Sequence, residues 1–163
     1  TGCGAVAISL AAESGIEVIG TDVSLDALRL AAENARRLGL AGSVRLVQSD
    51  LLAGVRGPFD VVLANLPYVP RGRVLPRDVG EYEPTVALYA GLRGTELIER
   101  LLGEARPVLA GDAELAVELD EEGQAEPIAA LARQLYPRAS VGIHQDAGGY
   151  DRVVRLQLSP PGD

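Results

Sequence analysis

The chain is poor in the residue types that build metal and redox sites. It holds one cysteine, Cys3, and one histidine, His144, among 163 residues. A single cysteine excludes an internal disulfide and a cysteine-based zinc site. A lone histidine argues against a His-rich metal site or a paired-histidine mechanism, and no metal is expected. Lysine is absent, so there is no Tyr-x-x-x-Lys pair of the kind that would support hydride transfer to NAD. Tryptophan is absent too, and Phe59 is the single phenylalanine. No apolar run approaches the roughly 20 residues that span a bilayer, and no secretory signal pattern is visible. No membrane partner is expected, and the cytoplasm is the expected location. Positive charge is also scarce. The net charge of −8 disfavours a non-specific grip on phosphate backbones, which needs clustered cations. Arg71, Arg73 and Arg77 form a local cationic group and read as a solvated loop.

What is present is an alternation of helix and strand signals. Apolar content of 47 % and charged content of 23 % suit one globular domain with a real core. Residues 4–14 suit a short buried helix after a glycine turn. Residues 16–20 form a β-rich run ending at Thr21-Asp22. Ser24 is a helix N-cap, with Leu25, Leu28, Leu30–Ala32, Ala35 and Leu38 mostly at helical spacing and Gly39 as the stop. Val44–Val47 is a strand ending at Gln48-Ser49-Asp50. Phe59–Ala64 is an apolar strand of the sort covered on both faces in a parallel sheet. Residues 69–90 have no clean period, and a loop of that length is usually functional or mobile. A helix follows from Gly94 to about Arg106, then a strand at Ala113–Leu119 and a helix at Gly123–Leu135. Val141–His144 and Arg152–Leu158 are close enough in sequence to form an antiparallel hairpin. The pattern predicts an α/β fold with a mostly parallel sheet and an antiparallel closing strand.

Polar residues collect where these strands end. Thr1-Gly2-Cys3-Gly4 precedes a helix, and glycines there let a backbone turn approach a ligand closely. Asp22 ends the next strand, where an acid meets ribose hydroxyls in nucleotide-binding α/β folds. Asp50 ends the strand after that and could accept from an adenine amino group, with Leu51 against the ring. Strand-end acids also cap helices, and Asp22 could cap the Ser24 helix. Glu118 ends a strand and could cap or line a pocket. The sharpest signal is Asn65-Leu66-Pro67-Tyr68. The strand delivers an amide, an apolar residue, a proline and a tyrosine in one rigid corner. A carboxamide oxygen and a nearby main-chain carbonyl can accept from an NH2 group, and Tyr68 can offer a flat face to the planar group that carries it. That arrangement suits alkylation of a weakly nucleophilic planar nitrogen.

In combination these motifs resemble the class I S-adenosylmethionine-dependent methyltransferases, and within them the HemK/PrmC family, the N5-glutamine methyltransferases of peptide release factors. The likeness covers nearly the whole chain. Thr1–Gly4 matches the end of the family's cofactor loop, Thr21–Ser24 its ribose segment and Gln48–Leu51 its adenine segment. Asn65–Tyr68 matches its Asn-Pro-Pro-Tyr corner, with Leu66 in place of the first proline. Tyr82-Glu83-Pro84, Ala87-Leu88 and Gly91–Gly94 resemble the following loop, although Arg93 stands where an aspartate is common. Asp146–Val154 resembles the closing hairpin. The resemblance implies S-adenosyl-L-methionine as cofactor, held by Thr1, Gly2, Cys3, Gly4, Asp22, Asp50, Leu51 and Asn65. It implies a release-factor glutamine held by Asn65, Leu66, Pro67, Tyr68 and Glu83, with Asn65, Pro67 and Tyr68 as the catalytic corner. One methyltransferase domain is expected over residues 1–158, with a frayed tail at 159–163. The family's first strand and its N-terminal helical region have no counterpart here, so Thr1 is expected to lie inside the pattern. Two other readings stay open: amino-methylation of adenine or cytosine in nucleic acid, and a non-catalytic methyltransferase-like module. The charge balance makes nucleic acid the less expected direct substrate.

Overall fold

The computed structural model describes residues 1–70, 72, 90–119 and 123–159. It divides into two compact units, Thr1–Arg56 and Gly57–Asp163.

The first unit runs α1 (Ala5–Ser14), β1 (Val18–Asp22), α2 (Leu25–Arg37) and β2 (Val44–Gln48). β1 and β2 pair in parallel from Val18↔Val44 to Asp22↔Gln48. Parallel neighbours need a crossover connection, and α2 provides it. The helix starts where its sequence says it should: the Ser24 hydroxyl accepts the Ala27 N–H at 3.2 Å. It stops at Gly39, whose φ of 72° is one that glycine adopts without strain. A small core of Ala7, Ile8, Ala11, Ala35 and Val44 joins the helices to the strands. α1 is not buried all round, as its composition suggested. Only Ala7, Ile8 and Ala11 are buried, at the three- and four-residue spacing of one helix face, and Val6 is 46 % exposed.

The second unit runs β3 (Phe59–Ala64), α3 (Glu96–Ala105), a 3-10 turn (Arg106–Val108), β4 (Leu109–Glu118), α4 (Ala125–Leu135), β5 (Ser140–Gln145) and β6 (Asp151–Gln157). Its sheet has the order β3-β4-β6-β5. β3 and β4 are parallel, ending at the pair Ala64↔Val117, while β6 runs antiparallel to both β4 and β5. The closing hairpin is therefore where the sequence placed it. β4 begins four residues earlier than Ala113, the start expected from its apolar run. Between Phe59↔Leu109 and Val61↔Glu114 the register shifts, so the early part of β4 is irregular and carries exposed Gly111 and Asp112.

The core of this unit holds Ile98, Leu102, Leu115, Leu119, Ile128 and Leu156, each under 2 % exposed. Each such side chain contributes about 1.5–3 kcal/mol on burial. α4 packs against β5 and β6. β3 differs from expectation: Val61 and Leu63 are each 40 % exposed, so it is not covered on both faces. No helix among the described residues is long and apolar enough to cross a membrane.

Candidate functional site

The residues that the sequence singles out divide between the two units. In the first unit, the glycine loop and the acid after β1 come together. Gly4 precedes α1 with φ 85°. A Cβ at Gly4 would stand 3.0 Å from both Ala31 Cβ and Ile8 Cδ1, a crowded contact, and the φ of 85° strains any residue but glycine there. The Gly2 N–H donates to Asp22 Oδ2 at 2.8 Å, and the Thr1 nitrogen donates to the same oxygen at 3.0 Å and to the Thr21 carbonyl at 2.7 Å. Asp22 Oδ1 accepts the Ser24 N–H at 2.8 Å. Asn34 on α2 donates its side-chain N–H to the Cys3 carbonyl at 2.9 Å, a tie that sequence inspection did not identify. Cys3 itself is exposed.

Asp22 is thus a fixed anion. Burial pushes its carboxyl upward, but hydrogen bonds led by those from the Ser24 and Gly2 N–H groups hold it below the ordinary value. It does more than one structural job: it fastens the loop and the approach to α2, whereas the cap itself is Ser24. The second acid follows directly. The Ser49 N–H donates to the Asp22 carbonyl at 2.9 Å, which aligns the end of β2 with the end of β1. Asp50 is exposed, and Leu51 adopts a φ of 47°, unusual for a non-glycine residue. Backbone held in that region is a feature found at ligand sites.

The second unit carries the corner. β3 ends at Ala64, and Asn65 is exposed with no hydrogen bond from its carboxamide to any described residue. An asparagine that merely satisfied a turn would bond the backbone two residues on. Leu66, Pro67 and Tyr68 are half-buried, and Val69 is buried at 7 % exposure. The corner is braced from behind. Gln124, at the entry to α4, donates its side-chain N–H to the Tyr68 carbonyl at 3.0 Å. Gly94, with φ 80°, packs so closely that a Cβ would collide with that same carbonyl oxygen. The Val69 carbonyl accepts the Ala90 N–H at 3.0 Å. Neither Gln124 nor the role of Gly94 was evident beforehand. Glu83, with Tyr82, Pro84, Ala87, Leu88 and the Arg71, Arg73 and Arg77 group, lies outside the described residues.

Beside the corner is a cavity of about 390 Å³ lined by Tyr68, Glu118, Asp146, Arg152 and Val153. Glu118, expected to cap or to line a pocket, lines this one. Asp146 takes the Gly148 and Tyr150 N–H groups on Oδ1 and Arg152 Nε on Oδ2, at 2.8, 3.1 and 3.1 Å. The Tyr150 backbone N–H leads the interactions that hold its carboxyl below the ordinary value; burial pushes it up, and the Arg152 guanidinium and Gly148 N–H add to the lowering. Arg152 also reaches the Leu119 carbonyl at 3.3 Å, fastening the hairpin to the end of β4.

Known proteins are similar to this chain in sequence and in fold. Residues 1–78 match the family described as Methyltransferase small domain. The chain is 40 % identical over 159 residues to the release factor glutamine methyltransferase of Deinococcus radiodurans, covering 96 % of this chain and 55 % of that protein. The protein of the same name from Moorella thermoacetica is 40 % identical over 156 residues, covering 93 % and 54 %. The chain therefore spans about half the length of the curated relatives it matches. Among solved structures, a methyltransferase from Pyrococcus furiosus matches with a TM-score of 0.73 at 22 % identity, over 98 % of this chain and 72 % of that one. An RNA methyltransferase from Salinibacter ruber in complex with S-adenosyl-L-homocysteine matches with a TM-score of 0.61 at 18 % identity, over 99 % and 78 %. At those identities the likeness is one of fold, the α/β fold of class I methyltransferases with antiparallel strands closing the sheet.

Proposed function

We propose that this chain is a member of the HemK/PrmC family and transfers a methyl group from S-adenosylmethionine to the side-chain amide nitrogen of a glutamine in a peptide chain release factor. The observation that carries the reading is the Asn65 carboxamide, which ends a strand, bonds no described residue and stands on a corner braced by Gln124 and Gly94. The names of the 34–40 % identical relatives supply the substrate class.

The residues present fit the cofactor. An ionised, main-chain-anchored Asp22 is a ready acceptor for ribose hydroxyls, and its Oδ1 retains acceptor capacity beyond the Ser24 bond. Gly2 and Gly4 keep the loop bare of side chains, while Asp50 and Leu51 serve the adenine edge and face. Thr1 and Cys3 complete the set within this unit. S-adenosylmethionine supplies the methyl group: an N–C bond forms, the sulfonium S–C bond breaks with its electron pair left on sulfur, and the amide nitrogen releases a proton.

The protein's own part is orientation. An amide nitrogen is a poor nucleophile because its lone pair is delocalised. The Asn65 side-chain oxygen and the Leu66 carbonyl accept the two N–H bonds and fix the direction of the nitrogen, and Tyr68 packs against the planar group. Orientation of this kind supplies up to about 7–11 kcal/mol of barrier reduction in favourable cases. Glu83 would contact the substrate main chain. No general base is needed, since the alkylated nitrogen is acidic enough to lose its proton to water.

The test is transfer of radiolabel from S-adenosylmethionine by the protein to purified release factor and, in parallel, to RNA. Label on a release-factor glutamine is expected. Label confined to RNA would overturn the proposal.

A further inference from the structure

We infer that Glu118 is a positioning residue for the polypeptide substrate, accepting a main-chain N–H next to the methylated glutamine inside the cavity beside Tyr68. The inference rests on the protein-glutamine reading above.

Register brings Glu118 to the corner. Ala64 and Val117 are the last registered pair of the parallel strands β3 and β4, so Asn65 and Glu118 are the next residues at the same ends of neighbouring strands. Adjacent strands lie about 4.8 Å apart, and in a parallel pair registered residues share a face. On its other side Glu118 pairs with Val153 of β6, which brings the hairpin into the same wall.

The charges in that wall are not equivalent. Asp146 and Arg152 are engaged with each other, and each also bonds backbone. Their work is to hold the hairpin against β4. The Glu118 carboxylate makes no hydrogen bond or ion pair with any described residue, although it is only half-exposed. Polar side chains that are drawn into the protein usually have a partner, and one without is a candidate for a ligand contact.

The cavity's chemistry selects the ligand. Two carboxylates face one guanidinium that is already neutralised, so the local charge repels a phosphate backbone. A carboxylate accepts and does not donate, which fits a peptide N–H. Tyr68 and Val153 supply the apolar surface for the rest of a residue. The volume of about 390 Å³ lies in the usual range for a ligand pocket.

The experiment measures methyl transfer to release factor over a range of release-factor concentrations, with Glu118→Gln and Glu118→Ala beside the wild-type protein. KM for release factor should rise about tenfold in Glu118→Ala and less in Glu118→Gln, which keeps an acceptor oxygen. kcat at saturation and calorimetric affinity for S-adenosylmethionine should stay within about twofold of wild type. Thermal unfolding midpoints without substrate should be unchanged or raised, because no described group loses a partner. A wild-type KM in Glu118→Ala overturns the inference and leaves the methyltransferase reading standing. A large drop in its unfolding midpoint overturns it too, by revealing a structural role. Wild-type protein that labels only RNA sinks both readings.

Discussion

Gln124 and Tyr68, 56 positions apart in sequence, are joined by a 3.0 Å hydrogen bond from the glutamine side chain to the tyrosine carbonyl. Gln124 is 7 % exposed and the bond is part-buried, so its loss removes a hydrogen bond held partly away from water. Through this bond the entry to α4 sets where the corner after β3 can stand.

Gln124→Ala should therefore destabilise the protein by about 1–3 kcal/mol. It should also lower kcat for release-factor methylation while leaving affinity for S-adenosylmethionine within a few-fold. Denaturant unfolding and a kinetic comparison check both effects. An unaltered kcat in a folded variant would show that the corner keeps its place without the brace.

Gly94→Ala tests the same brace from the opposite side. The added methyl group meets the Tyr68 carbonyl, and the φ of 80° is unfavourable for alanine. A loss of about 2 kcal/mol or more is expected. Gly103 has open space around it inside α3, so Gly103→Ala is the control and should be neutral or stabilising.

Acid should weaken the protein through Asp22 and Asp146. Both carboxyls sit below their ordinary value of 3.8 in the folded state, so the unfolded state binds protons more readily. The stability they contribute is present above 3.8 and is lost as pH falls through their folded values. Asp22→Asn should flatten the decline in stability below that pH and weaken S-adenosylmethionine binding at neutral pH. Unfolding measured against pH, with calorimetry at pH 7, checks the pair of outcomes. An unchanged acid profile would remove Asp22 as a stabilising anion.

Leu51→Gly separates strain from binding. Glycine relieves the left-handed backbone, by about 1–2 kcal/mol, and gives up partly buried apolar surface of similar worth. Stability should move by less than about 1 kcal/mol, while S-adenosylmethionine binds about fivefold or more weakly. Equal binding by the variant would take Leu51 out of the adenine site.

These residues also mark what the sequence can and cannot reveal. The Ser24 cap, the Gly39 stop and the hairpin at Asp146–Tyr150 are local, with partners within a few positions, and their residue types announce them. The Gly2–Asp22 contact spans 20 positions, yet it is legible because strand order in an α/β fold brings such residues to one sheet edge. Gln124 and Glu118 are not legible in this way. Their importance depends on which turn α4 starts from and on the Ala64↔Val117 register, neither of which leaves a trace in composition. Val61 and Leu63 mislead for a related reason: an apolar strand records what can be covered, not what covers it.

The most direct measurement is the rate of methyl transfer to release factor by Asn65→Ala beside the wild-type protein. Since the Asn65 side chain bonds no described residue, the variant should keep its stability, while kcat at saturating S-adenosylmethionine falls by about a hundredfold or more. Transfer at the wild-type rate by a folded Asn65→Ala protein would contradict the account.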